Sequence, residues 1–267
     1  IFSSSRSSMA WSRALDIFLQ QIVNGLVQGS IYALVALGYT MVYGIMGLIN
    51  FAHGEVVMIG TLVTITVAGT LLKAGMPVAL AGLAGLTAAV LVCMALGWAL
   101  ERIAYRPLRN APRLTPLITA IGMSIVLQNL AMMIWGRNYL TFPSLLPKVN
   151  FELAGAHFTA IQIIIVLVSA ATMGGLLLLV YRTKLGMAMR ATAQNPAVAS
   201  LMGVNINRVI AAAFVIGSAL GALAGVMVGT YYEIAHYQMG FMLGLKAFTA
   251  AVLGGIGNLA GAMLGGI

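Results

Sequence analysis

Asn50, His53 and Glu55 form the most polar cluster inside the apolar stretches of the chain, within the run I-N-F-A-H-G-E at 49–55. An amide, an imidazole and a carboxylate at this spacing could gate a pore, line a path for a zwitterion or relay protons. A charged carboxylate at the centre of a membrane span costs about 2.5–3.5 kcal/mol on insertion scales, so Glu55 is expected to face protein or water. His53 and Glu55 are two positions apart and would not share a helix face, but a helix break at Gly54 would let them converge. The alternative is structural: a helix-end cluster at the interface, hydrogen-bonded locally.

The run Gly254-Gly255-Ile256-Gly257-Asn258 interrupts the helical pattern of the last apolar stretch. Broken helices at membrane depth line a cavity or pack within protein, so Gly254, Gly255 and Asn258 join Asn50, His53 and Glu55 as candidate pathway residues. Glu233, His236 and Lys246 flank the last pair of spans, where they could meet an external protein or line an outer mouth. A plain interfacial place beside Tyr231, Tyr232 and Tyr237 is the alternative. Gln128 and Asn129 could act as polar glue between helices.

Other chemistries lack their residues. The chain has no Gly-Lys-Ser/Thr of a P-loop, no H-E-x-x-H helix, no cysteine–histidine metal pattern and no G-x-S-x-G elbow. No catalytic or metal-ligating residue is assigned, no cofactor is expected on the chain, and ATP would have to be used by another polypeptide. The single cysteine, Cys93, excludes an intramolecular disulfide framework and reads as a buried thiol.

The elements that must position these residues follow from composition. Of 267 residues, 61% are hydrophobic and 7% charged, with mean hydropathy +1.02. Soluble domains carry roughly 25% charged residues, so this is an all-α polytopic membrane protein. Runs long enough to cross a bilayer core fall near 17–39, 48–72, 78–100, 114–136, 160–181, 208–232 and 242–267, giving about seven or eight spans with broken or re-entrant helices. The net charge of +9 does not indicate nucleic acid, because the basic residues cluster between spans. Arg102, Arg106, Arg109 and Arg113 occupy one connection; Arg182, Lys184, Arg190 and Arg208 lie in or beside another. The positive-inside rule places both in the cytoplasm and 137–159, with Arg137, Lys148 and Glu152, on the opposite side. Three simple spans before Glu101 would leave the N-terminus outside despite Arg6 and Arg13; a fourth, short or broken span in 17–72 would reverse it. Small-xxx-small pairs such as Gly25/Gly29, Gly217/Gly221 and Gly221/Gly225 favour a compact bundle. Residues 1–16 form a polar segment; Met9 reads as a natural start, with 1–8 as upstream sequence. The final Gly265-Gly266-Ile267 lies in an apolar run without a basic tail and reads as truncated.

The polar segment 182–208 reads as a single short helix outside the bilayer. Asn195 suits an N-cap and Pro196 the first helical position. Val198, Leu201 and Met202 fall on one face, with Ser200 beside them, and Gly203 can end the helix in a left-handed conformation. About two turns are marginal in isolation, so this helix needs a packing partner.

Longer motifs carry a family resemblance. N-G-L-V-Q-G-S-I-Y-A-L-V-A-L-G-Y-T-M-V-Y-G at 24–44, I-N-F-A-H-G-E at 49–55, Y-R-P-L-R at 105–109, R-L-T-P-L-I-T-A-I-G-M-S-I at 113–125, M-R-A-T-A-Q-N-P-A-V-A-S-L-M-G at 189–203 and L-K-A-F-T-A-A-V-L-G-G-I-G-N at 245–258 resemble LivH-type permeases of bacterial branched-chain amino acid ABC importers. The likeness covers nearly everything after Leu15. A related urea permease shares parts of it, and the R-L-T-P-L-I-T-A-I-G stretch at 113–122 favours the amino acid branch.

The resemblance implies that 17–267 is one transmembrane permease domain in the inner membrane, with a cytoplasmic coupling loop at 182–208. It implies four kinds of partner: a second permease of the LivM type, two cytoplasmic ATPase subunits, a periplasmic amino-acid-binding protein and the lipid bilayer. Asn195, Pro196, Val198, Ser200, Leu201, Met202 and Gly203 would then dock the ATPase, as an amphipathic helix docks a groove through apolar anchors. The alternatives are a urea or small-amide ABC permease and an ion-coupled secondary transporter using Glu55 or His53.

Overall fold

The computed structural model describes residues 2–109, 111, 112, 114–146, 149–153 and 156–267, with the side chains of all these except 2–16, 152, 153, 156 and 157. Arg113 and Lys148, and the side chains of Arg6, Arg13 and Glu152, fall outside the described residues. The elements run α1 (Phe2–Met46), α2 (His53–Lys73), α3 (Val78–Ala99), α4 (Leu114–Trp135), α5 (Ala160–Arg182), α6 (Lys184–Gln194), α7 (Pro196–Leu201), α8 (Ile206–Tyr232), α9 (Met239–Leu253) and α10 (Leu259–Gly266). α3 continues through a π-helical stretch, Leu100–Tyr105, and a 3₁₀ turn, Arg106–Leu108, which holds Pro107. Among the described residues six helices are long and apolar enough to cross a membrane, with α9 as a shorter apolar helix.

The last apolar run, 242–267, is broken at Gly254–Asn258, as its glycines lead one to expect. Gly254 ends α9, Gly255 and Gly257 adopt φ of +85° and +97°, and the Asn258 side chain accepts from Gly261 N–H at 3.3 Å to start α10. α10 then folds back along α9: a Cβ on Gly265 would meet Gly254 N at 2.7 Å. The result is a helical hairpin. Among the described residues three membrane-length helices precede Arg109 and the rest of the basic connection.

Small residues set the helix contacts. α3 is apolar all round and buries Ala81, Gly85, Ala89, Cys93 and Gly97, a stripe at four-residue spacing, while Leu83, Leu91 and Trp98 face outward. On α8 the stripe is Gly217, Gly221, Gly225 and Gly229, and Gly217 lies against the Gly38 backbone of α1 (3.3 Å to its carbonyl from a built Cβ). Gly25 packs against nothing within 4 Å, so its pairing with Gly29 is not a contact face. The apolar core lies where α1 and α8 meet α2 and α5, around Val27, Leu34, Leu37, Val57, Leu220 and Val228.

Two ends of the bundle are distinct. At one, Arg109 Nη1 donates to Asn207 Oδ1 at 2.5 Å and Arg109 Nη2 to the Glu101 carboxylate, tying the extension of α3 to the start of α8. At the other, β1 (Leu140–Thr141) pairs antiparallel with β4 (Ile234–Ala235), with Leu140 opposite Ala235. A hairpin of β2 (Asn150–Leu153) and β3 (Ala156–Thr159) follows β1, leading to α5 through a capping box at Thr159 and Gln162. The described residues of the two basic connections thus share one end and those of 137–159 the other, in keeping with the charge pattern.

Candidate functional site

α2 does not start at the basic end of the bundle. His53, its first residue, lies against Gly221 (3.3 Å from a built Cβ), fifteen residues into α8, or about 22 Å along that helix. The connection 47–52 therefore turns back into the bundle after Gly47 (φ +64°). Asn50, His53 and Glu55 are consequently enclosed by protein, at 3%, 2% and 0% exposure.

Their partners come from distant segments. Tyr105 Oη donates to Asn50 Oδ1 at 2.8 Å. Glu55 Oε1 accepts from Ser124 Oγ at 2.9 Å and from Gln128 Nε2 at 2.8 Å, both on α4. His53 meets the Tyr39 ring edge-on, with centroids 5.0 Å apart. The expectation of a locally bonded cluster at the interface is thus corrected: the bonds bridge helices inside the bundle. Gly54 lies within α2 and does not break it, so His53 turns toward α1 and α8 and Glu55 toward α4, and the two do not converge.

The start of α9 completes this centre. A Cβ on Gly240 would sit 2.6 Å from Glu55 Oε2, and one on Gly244 would sit 2.7 Å from Tyr39 Oη, so only glycine lets α9 approach α2 this closely. Glu55 thus stands in the first turn of α2 and beside the first turn of α9. Glu55 Oε2 and His53 Nε2 are buried without a hydrogen-bond partner among the described residues. Gln128 is interhelical glue as expected, but Asn129 is not: its Nδ2 donates to Ile125 O of its own helix at 2.8 Å.

The pathway residues Gly254, Gly255 and Asn258 do not join that centre. The turn that holds them lies toward the basic end, where Gly257 helps line a cavity of about 80 Å³ with Gly44 of α1 and Met189, Arg190 and Ala193 of α6. Two halves of the candidate pathway set are therefore separate sites.

The segment 182–208 holds two helices rather than one. Thr183 caps α6 by accepting from Gly186 N–H at 3.1 Å, and Arg190 returns to donate to the Val180 carbonyl, with its guanidinium 5.3 Å from the Tyr181 ring centre. These bonds fold α6 back onto the end of α5. α7 follows as expected in kind but shorter, at six residues. Asn195 Oδ1 accepts from Val198 N–H at 3.1 Å, Pro196 opens the helix, Gly203 has φ +82°, and Val204 N–H donates to Ala199 O at 3.1 Å to close it. Ser200 Oγ donates to Ala197 O at 2.8 Å, within α7. Ala199 is buried toward the bundle, whereas Val198, Leu201 and Met202 are 53%, 86% and 80% exposed.

Near the other end, a cavity of about 310 Å³ lies between α1, the end of α8 and α9, with Tyr32, Tyr232, His236, Met239 and Lys246 in its wall. His236 stacks on Tyr139, and its Nε2 is 3.0 Å from Arg137 O. Among the described residues no group of three or more histidine, cysteine or acidic side chains is placed to hold a metal ion.

Residues 21–267 match the family described as branched-chain amino acid transport system / permease component. Over 256 residues the chain is 49% identical to the high-affinity branched-chain amino acid transport system permease protein BraD of Pseudomonas aeruginosa, covering 94% of this chain and 83% of that one. It is 48% identical to the corresponding LivH protein of Escherichia coli (strain K12), with the same coverage, and 26% identical to a probable LivH of Methanocaldococcus jannaschii, across 94% of this chain and 79% of that one. No solved structure matches significantly.

Proposed function

Because the chain belongs to the branched-chain amino acid transport system permease family, we propose that it is the membrane-spanning permease subunit of an ATP-driven, binding-protein-dependent importer of leucine, isoleucine and valine. The observation that carries this reading is the near-50% identity to two permeases of that class across 94% of the chain. The protein is a multi-pass inner-membrane subunit. It works with a second permease of the LivM type, a pair of cytoplasmic ATPases and a periplasmic amino-acid-binding protein. ATP is consumed by the ATPases.

The coupling role falls to α7. A six-residue helix whose Val198, Leu201 and Met202 project from the basic end offers a groove-bound anchor, and apolar anchors at helical spacing are how such helices dock. Asn195, Pro196 and Gly203 fix its two ends, and the Arg190 clip gives α6 a firm hold on α5, through which ATPase closure reaches the bundle. Asn50, His53 and Glu55 serve as the pivot on which α2, α4 and α9 meet rather than as a wetted lining, since all three are enclosed. The Gly254, Gly255 and Asn258 turn lies beside α6 and belongs to the inner gate that α6 moves.

The test is Leu201→Asp. This variant inserts normally, but the ATPase subunits no longer co-purify with it and leucine uptake is lost. Normal co-purification would remove α7 from the docking role.

A further inference from the structure

Lys246 is a cation set within the length of the bundle rather than at its end. Two residues before it, Gly244 packs against Gly54 and Tyr39, the level at which α2 begins inside the bundle. α9 carries no other charged residue, and Lys246 is exposed on its surface, as are Phe241, Met242 and Leu245. No described carboxylate forms an ion pair with it; its ammonium lies 5.8 Å from the Tyr32 ring centre. A lysine at this depth is not stable against hydrocarbon and marks a face turned to water or protein.

The cavity that Lys246 enters has the chemistry of a small zwitterion with an aliphatic tail. It holds one cation, aromatic rings from Tyr32, Tyr232 and His236, and apolar walls from Val228, Met239 and Leu243. Its volume of about 310 Å³ is at the small end of ligand sites and is ample for a single amino acid. An ammonium over tyrosine faces is a favoured cation–π arrangement.

We propose that Lys246 receives the α-carboxylate of the translocated amino acid in this cavity, the tyrosine rings facing its α-ammonium and the apolar wall its side chain. This rests on the importer reading above and adds a substrate site within the permease itself.

The test uses the complete complex in proteoliposomes with loaded binding protein, and Lys246→Cys. The native cysteine, Cys93, is buried. Uptake falls about 10- to 100-fold, the range for losing a hydrogen bond to a charged group. Treatment with 2-aminoethyl methanethiosulfonate, which rebuilds an ammonium at the position, restores most of it, whereas methyl methanethiosulfonate does not. Lys246→Arg keeps uptake within about threefold, since it keeps the charge and adds bidentate geometry. ATP hydrolysis stimulated by the loaded binding protein continues in unmodified Lys246→Cys, which separates a lost substrate contact from lost assembly. Uptake by Lys246→Cys equal to wild type, equal rescue by both reagents, or loss in Lys246→Arg as complete as in Lys246→Cys overturns the proposal. The importer reading stands or falls separately, on whether the wild-type complex transports branched-chain amino acids at all.

Discussion

Asn50 and Tyr105 satisfy each other where neither meets water, and the pair shows what sequence can and cannot disclose about a buried polar centre. Leaving the Tyr105 hydroxyl orphaned in Asn50→Ala should cost about 1–3 kcal/mol, whereas adding Tyr105→Phe removes the unpaired group and returns part of that loss. Thermal unfolding of the purified subunit in detergent measures the cycle; strictly additive losses would mean the two do not interact. The polar triad itself was legible because amides, imidazoles and carboxylates are rare in apolar runs. Its partners were not, because Tyr105, Ser124 and Gln128 lie 55 to 73 residues away and only packing brings them together. The depth of Lys246 was hidden for the same reason: α9 starts inside the bundle, and only the Gly54–Gly240–Gly244 contact reveals it.

At the scale of elements, α8 and α7 illustrate two different controls. On α8, a Cβ at Gly225 would press on Thr61 Oγ1 at 3.0 Å and more closely still on the Val57 carbonyl, so Gly225→Leu separates α8 from α2. Overpacking of this kind costs about 1–3 kcal/mol and should appear as a lower melting temperature and a lower yield of folded subunit. On α7, Asn195→Ala removes the cap and costs about 0.5–2 kcal/mol of local stability. Uptake should fall partially while the bundle melts as wild type; an equal fall in melting temperature would place Asn195 in the general fold. The caps of α7 could be read directly, since Asn-Pro and a later glycine are local signals. α6 could not, because its stability comes from the Arg190 and Gly186 contacts with the end of α5, which are tertiary. The break in the last apolar run was legible in Gly254-Gly255-Ile256-Gly257-Asn258, but the return of the chain was not, because hydropathy does not sense direction and the hairpin depends on left-handed backbone at Gly255 and Gly257.

For the molecule as a whole, charge placement had already separated two sides, and the structure joins the same segments at each end through Arg109–Asn207 and the β1–β4 pair. Cysteines introduced at Arg137 and Leu201 should therefore label from opposite sides of sealed vesicles; labelling of both from one side would overturn the assignment. The same asymmetry arranges the proposed functional parts: an aromatic, lysine-bearing cavity near one end, an enclosed polar centre within, and an exposed apolar helix, the proposed coupling helix, at the other. Such a layout suits a subunit that accepts substrate on one side and receives force on the other. The direct measurement is labelled-leucine uptake into proteoliposomes holding this chain with its second permease and ATPase pair. Accumulation that requires ATP and loaded binding protein, and that isoleucine and valine but not urea suppress, is the predicted result. Uptake by this chain without the ATPases that follows the proton gradient, or equal suppression by urea, would contradict it.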